Sequence, residues 1–205
     1  MNIDETPKVV FTYDDNNSLG NGTGGQIPVF IGYTGNTTQA QGIKKFRSYT
    51  EASKTVAEGG IGPYTDNNLL LEVLRVFFEE NKKVNVDDPT VPYVYAIDLG
   101  VKSELVLADW VNAIELAKNV YDAQVEVYVG FKKTDTQAKI IPIINAGIAS
   151  AKEYAKGGLP RELYSTVFGA SDDELKDYTD ATNGVQSSWF GLPKPQDFGK
   201  IVNMI

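Results

Sequence analysis

In the first half of the chain, continuous runs of hydrophobic residues alternate with segments in which hydrophobic residues recur at the spacing of a helix. Residues Ile27 to Tyr33 form an apolar run of a length typical of a buried strand. From Lys44 to Glu58 the apolar residues recur every three or four positions, which predicts an amphipathic helix. The segment Gly59 to Pro63 contains three glycines and a proline and ends that helix. The residues that carry the helical spacing are Phe46, Tyr49, Ala52 and Val56.

A second helix, from Asp66 to Asn81, carries its large apolar residues on one face and must therefore pack on a sheet. The segment Tyr93 to Ile97 is apolar on both faces, which is typical of a central strand, and Asp98 to Gly100 end it. The apolar face of the helix consists of Leu70, Leu71, Leu74, Phe77 and Phe78.

The same order of helix and strand continues in the middle of the chain. A helix is indicated by the spacing of its apolar residues, and an alternating valine pattern then predicts a strand. The third helix, from Ala138 to Lys156, contains Pro142, so it either begins near Ile140 or is kinked there. Gly157 and Gly158 form its natural C-cap. The middle helix is marked by Leu107, Trp110, Val111, Ile114 and Leu116, and the strand by Val125, Val127 and Val129.

The last third of the chain contains shorter elements. Leu163 to Phe168 is a predicted strand, and Ser171 with Glu174 three positions later forms a capping box for a short helix that ends at Thr182. Val185 to Phe190 is the predicted last strand.

The two ends of the chain are less regular. Lys8 to Tyr13 is a predicted short strand, and Asp14 to Gln26 is a polar loop rich in Gly and Asn. Gln196 to Ile205 is a weak terminal helix or a tail.

Strands that alternate with helices predict an α/β fold with a mainly parallel sheet flanked by helices and a short N-terminal strand pair. We divide the chain into three parts. Residues 1–26 are an N-terminal strand and flexible loop, residues 27–190 are the α/β core domain, and residues 191–205 are a tail or the start of an arm or further domain.

Composition limits the chemistry. With 205 residues and 42% hydrophobic residues the chain can bury a core as one large domain or two small ones. It contains no apolar run long enough to insert into a membrane, and its first residues lack the features of a signal peptide, so we expect a soluble protein made in the cytoplasm. The absence of Cys and His excludes disulfides and thiol catalysis, and removes the commonest general base and metal ligand. A net charge of −8 makes nucleic acid an improbable partner.

Two motifs in the Gly-rich loop resemble ligand sites but lack the required context. Gly20 to Gly25 has the G-x-G-x-x-G spacing, yet a strand follows it where a dinucleotide site needs a helix. Asp15, Asn17 and Gly20 match calcium-loop positions, but Leu19 and Gln26 occupy two other ligand positions. We therefore expect no cofactor and no metal.

Acidic clusters elsewhere also have ordinary explanations. Asp172 to Glu174 lie in the first turn of a predicted helix, where carboxylates complement the helix dipole. The pairs Asp14–Asp15 and Asp87–Asp88 lie in predicted loops with nothing to fix their separation. We assign no catalytic residue and expect no enzyme. Trp189 and Phe190 form either an exposed interface or the edge of the core.

Several of these segments, taken in order, resemble the sheath protein of contractile phage tails and related injection machines. A strand that ends in Gly-Tyr-Thr is followed by a Phe-x-Ser-x-x-Glu-Ala helix with a Gly-Gly turn, and then by a Leu-Arg-x-Phe-Phe helix before an apolar strand. Two later segments, Ala108 to Ile114 and Ser187 to Trp189, resemble the helix before the next core strand and the end of the α/β domain. The matching residues are Gly32, Tyr33, Thr34, Phe46, Ser48, Glu51, Ala52, Gly59, Gly60, Leu74, Arg75, Phe77, Phe78, Asn81 and Tyr93 to Ile97.

The resemblance implies a mechanical function. Sheath subunits polymerise into a helical tube around an inner tail tube and contract to drive it through a cell envelope. The implied partners are further copies of the chain and the inner tube protein, in a virion tail assembled in the host cytoplasm. The segments to watch for lattice contacts are Asp14 to Gly25, Lys82 to Asp88 and Phe190 to Ile205.

The alternative is a small-ligand-binding or enzymatic α/β domain. Such a domain uses a cleft at the carboxyl ends of its parallel strands. It predicts a pocket with convergent polar groups near Asp98, Gly130 or Gly169. A third class, an adhesion module, would need a secretion signal.

Overall fold

The computed structural model describes residues 27–65, 67–84, 93–101, 105–131, 134–159, 161–167, 187–190 and 200–204. The predicted strand at Lys8 to Tyr13, the loop at Asp14 to Gln26 and the helix from Ser171 to Thr182 lie outside these residues.

The described part of the chain forms one seven-stranded sheet with the order β2-β3-β1-β4-β5-β7-β6. Strands β3, β1, β4 and β5 run parallel, β2 is antiparallel to β3, and β7 is antiparallel to both β5 and β6. The predicted α/β fold with a mainly parallel central sheet is therefore confirmed. The strands are β1 (Pro28–Gly32), β2 (Ile43–Phe46), β3 (Val94–Asp98), β4 (Val125–Val129), β5 (Glu162–Val167), β6 (Ser187–Phe190) and β7 (Lys200–Met204).

Four α-helices in the described residues cover the two faces of this sheet, namely α1 (Tyr49–Ala52), α2 (Leu69–Val84), α3 (Leu107–Ala117) and α4 (Gln137–Lys156). Helix α2 buries Leu70, Leu71 and Leu74 against one face. Helices α3 and α4 pack on the opposite face, where Trp110 and Ile144 belong to a second hydrophobic cluster. Helices on both faces explain why the parallel strands are apolar on both sides.

Helix α2 confirms the predicted second helix with shifted ends. Asn68 precedes its first turn, and the side-chain oxygen of Asn68 accepts a hydrogen bond from the Leu71 amide at 3.0 Å. The Asn68 side-chain amide donates to the carbonyl oxygens of Ile61 and Pro63 at 2.9 and 3.1 Å. One buried asparagine thus begins the helix and ties it to the preceding loop.

The helix predicted from Lys44 to Glu58 is wrong for its first part. Ile43–Phe46 is strand β2, and only α1 and a short 3₁₀ helix at Val56–Glu58 are helical. The reason lies at Ser48, which has an extended backbone and accepts a hydrogen bond from the Glu51 amide as an N-cap. An N-cap must be non-helical, so a continuous helix cannot pass through this position.

The third predicted helix is confirmed as α4, and of the two alternatives given for Pro142, a start near Ile140 is wrong. The helix begins at Gln137, which leaves Pro142 inside it. At the other end, Gly157 is the C-cap and Gly158 has a positive φ of 78°, as the Gly-Gly pair predicts.

The predicted strands of the C-terminal part are confirmed as β5 and β6, but β6 is not the last strand. Residues 200–204 form strand β7, so the expected terminal helix is wrong there. The adjacent β-branched residues Ile201 and Val202 favour a strand. In addition, β7 finds a partner on each side, in β5 and β6.

Candidate functional site

The carboxyl ends of β1 and β3 meet around the buried carboxylate of Asp98. Its Oδ1 accepts hydrogen bonds from the Thr34 hydroxyl at 2.9 Å and the Gly100 amide at 2.7 Å, and its Oδ2 accepts one from the Ala40 amide at 2.9 Å. Burial raises the pKa of Asp98, and these hydrogen bonds oppose the rise. Because both oxygens already bind the protein's own donors, Asp98 holds the loop after β1 against the sheet.

Three aromatic side chains fill the crevice between the carboxyl ends of β1 and β4. Tyr33 follows β1, Phe131 follows β4, and Trp110 packs against both, with ring centroids 5.9 Å and 5.0 Å away. All three are buried. Gly130 lies beside the Tyr33 ring, since a Cβ there would be in ordinary van der Waals contact with it at 3.5 Å.

This crevice is where open α/β sheets usually bind ligands, because the connections turn to opposite sides of the sheet there. Of the residues predicted for a cleft, Asp98 is saturated, Gly130 lies under Tyr33, and Gly169 lies outside the described residues. The described side chains at this edge therefore build packing rather than an open cleft.

A second polar cluster lies where α3 ends and β4 and β5 begin. The Arg161 guanidinium binds Glu126 at 2.7 Å, with each side chain only 2% exposed. It also donates to the carbonyl oxygens of Ala117, Ala123 and Val120 at 3.2, 3.2 and 2.6 Å. The Tyr128 hydroxyl donates to Glu126 at 3.0 Å.

This cluster ties the end of α3 to the strands beside it. Ala117 is the last residue of α3, and its carbonyl oxygen accepts the Val120 backbone amide at 3.0 Å as well as the Arg161 guanidinium. Burial raises the pKa of Glu126, and the Arg161 ion pair opposes the rise. Enclosed and hydrogen-bonded on all sides, the pair locks the helix end to the two strands and offers no surface for a substrate.

An open groove of about 430 Å³ lies beside β2 and β3. The carboxylate of Asp122 accepts hydrogen bonds from the hydroxyls of Tyr93 and Tyr95 at 2.6 and 3.1 Å. Burial and this carboxylate raise the pKa of Tyr93 to about 12. The Lys45 ammonium lies 3.4 Å from the centre of the Tyr93 ring, a cation–π contact. The groove is lined by Ile43, Tyr95, Asn119, Val120, Tyr121 and Asp122.

Helix α3 is apolar on more than its inner face. Trp110 and Ile114 are buried against the sheet, but Leu107 is 43% exposed and Val111, one turn later, is 37% exposed. Val106 precedes them and is also exposed. We call Val106, Leu107 and Val111 the α3 patch. Leu107 and Val111 are four positions apart and therefore neighbours on one face of the helix, and exposed apolar faces can serve as interaction surfaces.

Most of the motifs that the sequence singled out fall outside the described residues. This applies to Gly20 to Gly25, the acidic pairs at 14–15 and 87–88, and Asp172 to Glu174. Lys82 and Lys83, expected in a loop, belong to the last turn of α2. Trp189 and Phe190 have their backbone in β6, and their side chains lie outside the description.

The residues that the structure describes include neither a candidate metal site nor a candidate membrane span. They contain no group of three or more acidic side chains placed to hold a metal ion. Their helices are too short or too polar to cross a membrane.

The Arg161–Glu126 pair was not predicted from the sequence, although the position of Glu126 does indicate that this residue needs a partner. Glu126 lies between Val125 and Val127 in a strand with helices on both faces, and a charge in such a run must be paired. The partner is 35 positions away and carries no local signal.

Comparison with protein-family models and with curated proteins finds no match for this chain.

Proposed function

We propose that this chain is a structural subunit of a contractile tail sheath. It polymerises into a helical tube around an inner tail tube and contracts to drive that tube through a cell envelope. Its partners are further copies of itself and the inner tube protein, and its place is the virion tail, assembled in the host cytoplasm. The observation that carries the proposal is the α3 patch, an exposed apolar surface on a helix whose inner face packs on the sheet.

A sheath subunit needs a rigid body and a surface that meets a different surface on the next copy. Such heterologous contacts do not close and therefore generate helical polymers. The packed crevice and the buried Arg161–Glu126 pair give the core its rigidity. Contraction then requires a lattice with two alternative sets of contacts, and the energy comes from assembly rather than from a bound nucleotide.

The alternative function, ligand binding or catalysis at the carboxyl ends of the strands, has less support. Tyr33, Trp110 and Phe131 occupy the crevice that it would use. Asp98 is committed to three donors of the protein itself.

Negative-stain electron microscopy tests the proposal. The product of the complete reading frame is expressed alone and together with the adjacent tube protein. We expect hollow striated tubes of regular width. Discrete particles under both conditions would overturn the self-assembling sheath.

A matched pair of variants tests the α3 patch itself. Val111→Glu places a charge in the patch, and Val76→Glu places the same charge on α2 at a valine that is 45% exposed. We expect tubes from Val76→Glu and none from Val111→Glu, with both variants folded by circular dichroism. Equal assembly of the two variants would show that the α3 patch makes no lattice contact.

A further inference from the structure

Among the described residues of this acidic chain, some cations are paired with carboxylates of the same molecule and others are not. Arg75, Lys118 and Arg161 each contact a carboxylate of the same molecule at 2.8 Å or less. These pairs neutralise their charge internally. They leave little for a partner to bind.

Three of the cations without such a pair lie close together on β2 and just after it. Lys44, Lys45 and Arg47 lie within four positions of one another, and no carboxylate among the described residues forms an ion pair with any of them. We call these three residues the β2 patch. Two carboxylates lie beside it, but both have other partners. Glu51 accepts the Arg47 backbone amide at 2.7 Å, and Asp122 accepts the two tyrosine hydroxyls.

The position of β2 makes this charge available. Within the described sheet, β2 is an outer strand whose only strand neighbour is β3. Successive residues of a strand project to opposite faces, so Lys44 and Lys45 lie on opposite faces of the described sheet at this edge. Lys45 and Arg47 are exposed, and Lys44 is half-buried. Phe46 is buried and fixes the end of the strand. The Tyr93 ring under the Lys45 ammonium restricts that side chain further.

Lysines on an outer strand discourage another strand from pairing with its backbone. A contact at this edge is therefore better made by side chains than by strand addition. The chemistry that fits cations along an outer strand is a surface of carboxylates.

We propose that the β2 patch binds an acidic surface of a second copy of this chain. This inference rests on the proposed function, because a helical polymer is what brings a second copy to this edge. With a net charge of −8, two copies repel each other unless cations of one face carboxylates of the other. The β2 patch supplies unpaired cations, and the excess of 27 acidic over 19 basic residues supplies the complementary surface.

The test compares two double variants of the full chain with the same change in charge. Lys44→Glu/Lys45→Glu reverses the β2 patch, whereas Lys152→Glu/Lys156→Glu reverses two exposed lysines of α4. Assembly is measured by sedimentation and electron microscopy in low salt and in about 1 M salt, where the screening length is about 3 Å. A neutral variant, Lys44→Gln/Lys45→Gln, keeps the test valid if the reversed variant fails to fold.

We expect the α4 variant to assemble like the wild type. For the β2 variants we expect the amount of sedimenting material in low salt to fall by about tenfold or more. We also expect carbodiimide to cross-link Lys44 or Lys45 to a carboxylate of another copy in mixtures of isotopically labelled and unlabelled protein. Normal assembly of both folded β2 variants would overturn the β2 contact and leave the sheath proposal intact. A wild type that stays monomeric at all concentrations would overturn the sheath proposal and this contact with it.

Discussion

Arg161, directly before β5, binds Glu126 of β4 at 2.7 Å, in a place where neither side chain is more than 2% exposed. Arg161 thereby joins β5, β4 and the end of α3 through one guanidinium group. A buried pair of this kind is costly to break on one side only, because the remaining charge keeps its desolvation cost without a partner.

Arg161→Met should therefore lower the free energy of unfolding by about 3–5 kcal/mol. Urea denaturation measures the effect. The control is Arg75→Met, which removes an exposed arginine from α2 and should cost less than about 1 kcal/mol. Glu126→Gln/Arg161→Met should recover part of the loss, since no charge is then left buried. Similar losses for Arg161→Met and Arg75→Met would contradict the prediction.

Gly147 allows α4 to lie directly on the sheet. A Cβ at this position would be 2.3 Å from the Tyr128 hydroxyl oxygen and 2.9 Å from the Leu163 side chain. Gly147→Ala should destabilise the protein by about 1–3 kcal/mol although alanine is the better helix former. Thermal unfolding followed by circular dichroism measures the change. Gly157→Ala, at a glycine with an ordinary negative φ, is the control and should have a much smaller effect.

Asp98 should be required for stability rather than for chemistry. An asparagine offers one oxygen and one amide group, so it cannot accept all three hydrogen bonds that reach the two carboxylate oxygens. Asp98→Asn should cost about 1–3 kcal/mol because a buried donor loses its acceptor. Asp109→Asn changes an exposed aspartate of α3 and should cost less than about 1 kcal/mol. An Asp98→Asn protein with an unchanged free energy of unfolding would contradict the structural role given to this carboxylate.

The pH dependence of stability should reveal the Glu72–Arg75 pair on α2. The hydrogen bond from Arg75 lowers the pKa of Glu72 below its ordinary value of 4.5. The pair therefore stabilises the folded state fully above pH 4.5, and its contribution disappears as the pH falls through the lowered pKa. Arg75→Gln should cost roughly 0.5 kcal/mol at neutral pH, since the pair is partly exposed. Urea denaturation of both proteins should show this difference shrinking at acidic pH, and a difference that stayed constant would count against the assignment.

The regular elements could be predicted because the periodic spacing of apolar residues is visible within each element's own sequence. Helix α2 has its leucines and phenylalanines on one side, and β4 has its alternating valines, so both are visible without knowledge of their neighbours. Strands β2 and β7 could not be predicted in the same way. Ile43–Phe46 contains two lysines, and its extended form depends on pairing with β3. Likewise β7 depends on partners far away in the sequence.

The candidate site was predicted less well than the fold, for a related reason. The sequence indicated Asp98 and Gly130 correctly as residues at the carboxyl ends of strands. Whether a crevice there is open depends on side chains from other elements, above all Trp110 from α3. Pair contacts such as that between Arg161 and Glu126 join residues far apart in the chain, and no local pattern fixes them.

Strand β7 lies between β5 and β6, although β6 comes before it in the chain. During synthesis β6 therefore leaves the ribosome before β7, the strand that joins β6 to the rest of the sheet. Until β7 has been made, neither β5 nor β6 has the partner that it holds in the finished sheet on that side. Their main-chain donors and acceptors are meanwhile open to other nascent chains. The protein thus completes this side of its sheet only after β7 has been synthesised.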